Sequence, residues 1–83
     1  MLTTLGAYLT SKSVNQAEIA RRTGLSKSRI NQLISNESTK LEARELYLIL
    51  LAINEDPGKI FNQLYKDLKL TTHQSIDVVS ENK

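Results

Sequence analysis

Apolar residues recur at helical spacing along most of this chain. Polar breaks separate the runs, and together they predict five helices. Leu2, Leu5 and Leu9, with Tyr8, share one face of a first helix over about Thr3–Ser11. A second start signal follows the polar Ser11-Lys12-Ser13. Asn15 is a good N-cap, and Glu18 three residues on completes a capping-box pattern. Val14 and Ile19 flank that cap as a hydrophobic staple would. This predicts a second helix from Gln16 to Thr23, stopped by Gly24, because glycine takes the left-handed conformation common after helix ends.

A third helix is predicted from Ser26 to Ser35. Ser26 is its N-cap, and Ile30, Leu33 and Ile34 form its apolar stripe. Leu25 and Ile30 repeat the staple pattern. Arg29 stands where a capping-box acid would, so this second box is incomplete. Ser35–Lys40 is polar and reads as a loop. The fourth helix covers about Glu42–Ile53, and its second half, Leu46–Ile53, is apolar on all sides. A helix of that kind is buried on most faces, more than one small core can cover, which points to a second subunit. Asp56 caps a fifth helix with Pro57 in its first turn. Ile60, Phe61, Leu64, Tyr65 and Leu68 give that helix one apolar face. Beyond Leu70 the chain is mostly polar. Residues 71–83 are expected to form a flexible or partner-ordered tail, and a strand over Ser75–Ser80 pairing across a dimer is the alternative.

Length limits this chain of 83 residues to one domain, placed at 1–70. The absence of cysteine removes disulfides and cysteine-ligated zinc. The longest apolar run, Leu46–Ile53, is far below the roughly 18–20 residues of a bilayer span. The N-terminal residues lack the pattern of a signal peptide, so the expected compartment is the cytoplasm. Charge is unevenly spread. From Lys12 to Lys40 six bases face two acids, leaving +4. From Leu41 to Leu70 four bases face five acids, leaving −1. A polyanion-binding face needs such a concentration, although a solvated surface could produce it too.

The second and third predicted helices, joined at Gly24, satisfy the demands of a helix-turn-helix. Ala20 is small where the helices must cross closely. Gly24 makes the turn. Ile19, Leu25, Ile30 and Leu33 are apolar where the unit must anchor to the body. Lys27, Ser28, Arg29, Asn31 and Gln32 remain for the outer face. These six structural residues hold the motif under any reading of function.

The run from Gln16 to Ser35 resembles the helix-turn-helix of phage repressors and Cro proteins, the Xre-type family. The pattern of the last two helices, through Asn54–Phe61, extends the resemblance to about Leu68. It implies an all-α, compact five-helix bundle of the lambda repressor-like kind. Thr23 departs from the family, which has an apolar residue there, and could loosen the second helix. The resemblance implies base-edge contacts from Lys27, Ser28 and Gln32, with Asn31 beside them. Lysine suits guanine and glutamine suits adenine. It further implies that Gln16 anchors a phosphate and that Asn36, Lys40 and Arg44 grip the backbone. Arg29 is assigned to a phosphate or to solvent. Arg21 and Arg22 read as a solvated face, with phosphate contact as the alternative.

No serine, histidine and acid set, glycine-rich phosphate loop or paired carboxylates suggest an enzyme, a cofactor or a metal site. The single histidine, His73, lies in the polar tail. Tyr8, Tyr47, Phe61 and Tyr65 fall on apolar helix faces and read as core or interface residues. The resulting expectation is a transcriptional repressor that binds double-stranded DNA as a homodimer through the last two helices. The rival is an antitoxin-type module that binds a toxin protein and represses its own operon.

Overall fold

Local capping chemistry sets where each helix of the computed structural model begins. It describes residues 2–71. Most of the predicted tail, with the Ser75–Ser80 strand and His73, lies outside the described residues. Those residues form five helices and no strand: α1 (Thr4–Ser11), α2 (Gln16–Thr23), α3 (Lys27–Ser35), α4 (Ala43–Ala52) and α5 (Pro57–Leu64). Asn15 Oδ1 accepts the Glu18 amide at 3.1 Å, Ser26 Oγ accepts the Arg29 amide at 3.0 Å, and Asp56 Oδ1 accepts the Gly58 amide at 3.0 Å. Each satisfies an amide that has no partner within its own helix.

Two local expectations change. Glu18 does not return to its cap. Its carboxylate pairs with Arg21 one turn on, a charge-assisted bond that outcompetes a neutral amide. The fifth helix stops at Leu64, four residues before Leu68. Tyr65 leaves helical geometry at φ −114° and ψ 18°, and Leu68 is exposed. The apolar spacing continues past that point, but no packed surface lies there to hold another turn.

One core unites the helices. Leu5, Tyr8 and Leu9 of α1 meet Ile19 and Ala20 of α2, then Ile30, Leu33 and Ile34 of α3. Leu46, Ile49 and Leu50 of α4 and Ile60 of α5 complete it. Ile19, Ala20, Ile30 and Leu33 are buried, Leu25 packs against them half-buried, and Gly24 turns the chain at φ +81°. The Gly24 amide donates to the Ala20 carbonyl at 2.9 Å, closing α2. Thr23 does not loosen α2. Its hydroxyl donates to the Ile19 carbonyl at 2.8 Å and accepts the Leu25 amide at 3.2 Å, so the polar group is used twice. The expectation for α4 holds in part: Ile49 and Leu50 are fully buried, while Tyr47 and Leu51 are about half exposed, at 56% and 47%.

Candidate nucleic-acid interface

α3 is held by its inner stripe and leaves its outer face in solvent. Ile30 is fully buried, and Leu33 and Ile34 nearly so. Lys27, Ser28, Asn31 and Gln32 are all exposed. The 3.6-residue period explains the division, because positions 27, 28, 31 and 32 lie opposite 30, 33 and 34 on one helix. None of the four is folded inward or covered by the described chain.

The backbone-gripping candidates surround that face in sequence. Gln16, at the first position of α2, is exposed, as are Asn36, Lys40 and Arg44. Asn36 also has an internal task, since its Oδ1 accepts the Ser38 amide at 3.0 Å and the Ser38 hydroxyl at 2.7 Å. Among the described residues the ion pairs are Lys12–Glu55, Arg21–Glu18 and Arg29–Glu45. Lys27, Lys40 and Arg44 belong to none of these pairs.

Arg29 differs from the other candidates. Its Nε donates to Glu45 Oε2 at 2.7 Å and its Nη2 to Glu45 Oε1 at 2.8 Å. The same Nη2 donates to the Lys40 carbonyl at 2.9 Å. The side chain is 31% exposed and that of Glu45 only 8%. The guanidinium holds the Glu45 carboxyl below the usual glutamate range, against the opposing effect of burial, and the Glu42 amide helps. Sequence grouped Arg29 with the phosphate contacts or with solvent. The fold directs it to α4.

Arg21 and Arg22 have internal partners too. Arg21 pairs with Glu18, and Arg22 donates to the Ala52 carbonyl at 2.8 Å. Ala52 ends α4, where a cation offsets the negative end of the helix dipole. Sequence reasoning missed Glu45, and Arg22 in this role. Nothing local in the sequence pointed to Glu45, which lies sixteen residues from Arg29 along the chain.

Other chemistry is sparse. Among the described residues no group of three His, Cys, Asp or Glu is placed to hold a metal ion. No described helix is long and apolar enough to cross a membrane. The Tyr8 hydroxyl is buried with no hydrogen-bond partner among the described residues, and burial raises its pKa.

Two short helices packed on one another, a glycine turn and an outward polar helix define a helix-turn-helix protein of the lambda repressor-like fold. Comparison with known families agrees: the chain matches the helix-turn-helix family HTH_3, the Cro/C1-type and Xre-like domain, over residues 5–60. That is well over half of the chain, and the chain belongs to this family. The family is non-enzymatic and binds DNA. Comparison with curated proteins and with solved structures returns no match.

Proposed function

We propose that this chain is a transcriptional repressor that binds a two-fold symmetric operator as a homodimer. α3 lies in the major groove, and Lys27, Ser28, Asn31 and Gln32 read base edges. Gln16, Asn36, Lys40 and Arg44 hold phosphates, which fixes register and supplies salt-dependent affinity. The observation that carries this reading is the outward face of α3: four exposed hydrogen-bonding side chains over a fully anchored inner stripe. Lys27 and Lys40, which join no ion pair among the described residues, supply the positive charge that supports it. Such a role puts the protein in the compartment that holds its DNA, in line with the expected cytoplasmic location.

The dimer rests on α4 and α5. Tyr47 and Leu51 from α4 and Phe61 from α5 expose about half of their surface. Large apolar side chains grouped on one side of a small domain suit a protein contact. A toxin-like partner would suit the same face, and the two readings differ in what co-sediments.

Selection of bound sequences from a random duplex pool tests the whole reading. The expected product is a palindrome with half-site centres about 10 bp apart. Recovery of sequences without a common motif would refute sequence-specific repression. A motif without symmetry would refute the dimer alone.

A further inference from the structure

Base reading needs α3 to sit at a fixed offset from the segments that grip phosphates. The offset cannot come from α3 alone, since Lys40 and Arg44 belong to a loop and to another helix. A short polar loop joins α3 to α4, and loops of this kind are intrinsically softer than the elements they connect. Something must hold that loop against α3.

Arg29 does so from the first turn of α3. Its two bonds to Glu45 reach the first turn of α4, sixteen residues away, and its third reaches the carbonyl of Lys40 in the loop. Glu45 Oε1 also accepts the Glu42 amide at 3.0 Å, so the carboxylate itself is held by the start of α4. One planar guanidinium thus joins three pieces of backbone. One bears Lys27, Ser28 and Gln32, the second bears Lys40, and the third bears Arg44. A lysine could not substitute, because it offers a point charge in place of a fixed fork.

We propose that Arg29 and Glu45 are a positioning pair that sets the register between the base-facing side chains of α3 and the phosphate-facing side chains of Lys40 and Arg44. The inference rests on α3 being the reading helix. Hydrogen-bonded recognition tolerates displacements of only about 0.5 Å. Loosening this joint therefore degrades sequence choice before it degrades general attraction to DNA. The pair contacts no base and, on this account, no phosphate.

The test uses the full chain with Arg29→Lys, Arg29→Gln, Glu45→Gln and the double Arg29→Gln/Glu45→Gln. Affinity is measured for the selected operator and for a random duplex over a range of salt. All measurements are made at a temperature where circular dichroism shows each variant folded. Each single variant, including the charge-conserving Arg29→Lys, is expected to lose about ten-fold or more of operator preference, the size of a mismatched base pair. The double variant is expected to lose no more than the worse single one, because both substitutions break one joint. The salt slope of the Arg29 variants should match that of the wild type.

Two results would overturn the proposal. One is unchanged operator preference in Glu45→Gln. The other is a salt slope shallower by about one phosphate in Arg29→Gln, with Arg29→Lys restoring it, which would make Arg29 a direct phosphate contact. A wild-type chain without any sequence preference would instead remove the reading of α3, and this inference with it.

Discussion

The backbone amide of Thr3 donates to the carbonyl of Ile34 at 2.8 Å, tying the entry of α1 to the last turn of α3. The Thr3 hydroxyl adds a bond to the Leu33 carbonyl at 2.7 Å and accepts the Gly6 amide at 2.8 Å. Carbonyls at a helix end have no partner within the helix, and these two receive theirs from another helix. One residue therefore caps the start of α1 and the end of α3 at once. The approach is close enough to need glycine at position 6, where a Cβ would stand 2.1 Å from the Ile34 oxygen.

Gly6→Ala is accordingly expected to destabilise the fold by roughly 1–3 kcal/mol, through backbone that must move apart. Gly58→Ala is the contrast. Its Cβ would have nothing nearer than the Asp56 carboxylate at 3.7 Å, so helix propensity should leave it neutral or more stable by up to about 1 kcal/mol. Urea unfolding midpoints of the two variants check both signs. Equal effects would mean that the α1–α3 contact is not tight.

Acid should weaken the fold through Glu45. Its folded-state pKa is depressed chiefly by the hydrogen bonds from Arg29, so the unfolded chain takes up the proton more readily. The resulting stability is present in full above the ordinary glutamate value, about 4.5. It is lost as pH falls through the lower folded value. Glu45→Gln is expected to cost about 1–2 kcal/mol near neutral pH, a charged hydrogen bond discounted for the partial exposure of Arg29. Its stability should then fall less steeply than that of the wild type below that point. Parallel acid profiles from pH 7 to 3 would contradict this account.

Base and backbone contacts separate by substitution. Gln32→Ala is expected to cost roughly 1–3 kcal/mol on the operator and to relax choice at one base pair. Lys40→Ala should weaken all duplexes alike and reduce the salt slope by about one contact. Competition binding with single-base operator variants distinguishes them. Unaltered operator preference in Gln32→Ala would exclude that residue from base reading.

The apolar face of α4 and α5 yields a separate expectation. Phe61 is 49% exposed and stacks at a tilt on Tyr65, with ring centroids 5.3 Å apart. Phe61→Asp should leave the monomer folded but shift sedimentation to the monomer and weaken operator binding. A wild type that sediments as a monomer at high micromolar concentration, with and without DNA, would remove the dimer.

Much of this molecule follows from local rules. Asn15, Ser26 and Asp56 cap because a side-chain oxygen two or three residues before an open amide can reach it in any context. Gly24 ends α2 because the left-handed turn costs other residues more. The periods of Ile19, Ile30, Leu33 and Ile49 specify which faces turn inward. These features are enough to specify five helices, the helix-turn-helix at α2 and α3, and the exposed face with Lys27, Ser28, Asn31 and Gln32.

Partners distant along the chain could not be read the same way. Whether Arg29 meets solvent, phosphate or Glu45 depends on where the start of α4 falls beside α3. Likewise Arg22 finds Ala52, and Thr3 finds Ile34, only once the helices are packed. The end of α5 before Leu68 is of the same kind, because apolar spacing supports a helix only where a surface exists to cover it. The amino-acid order thus determined the helices and the side chains they offer. Packing decided which of those side chains bind one another and which stay in solvent, because a contact across tens of residues depends on a geometry that no local preference encodes.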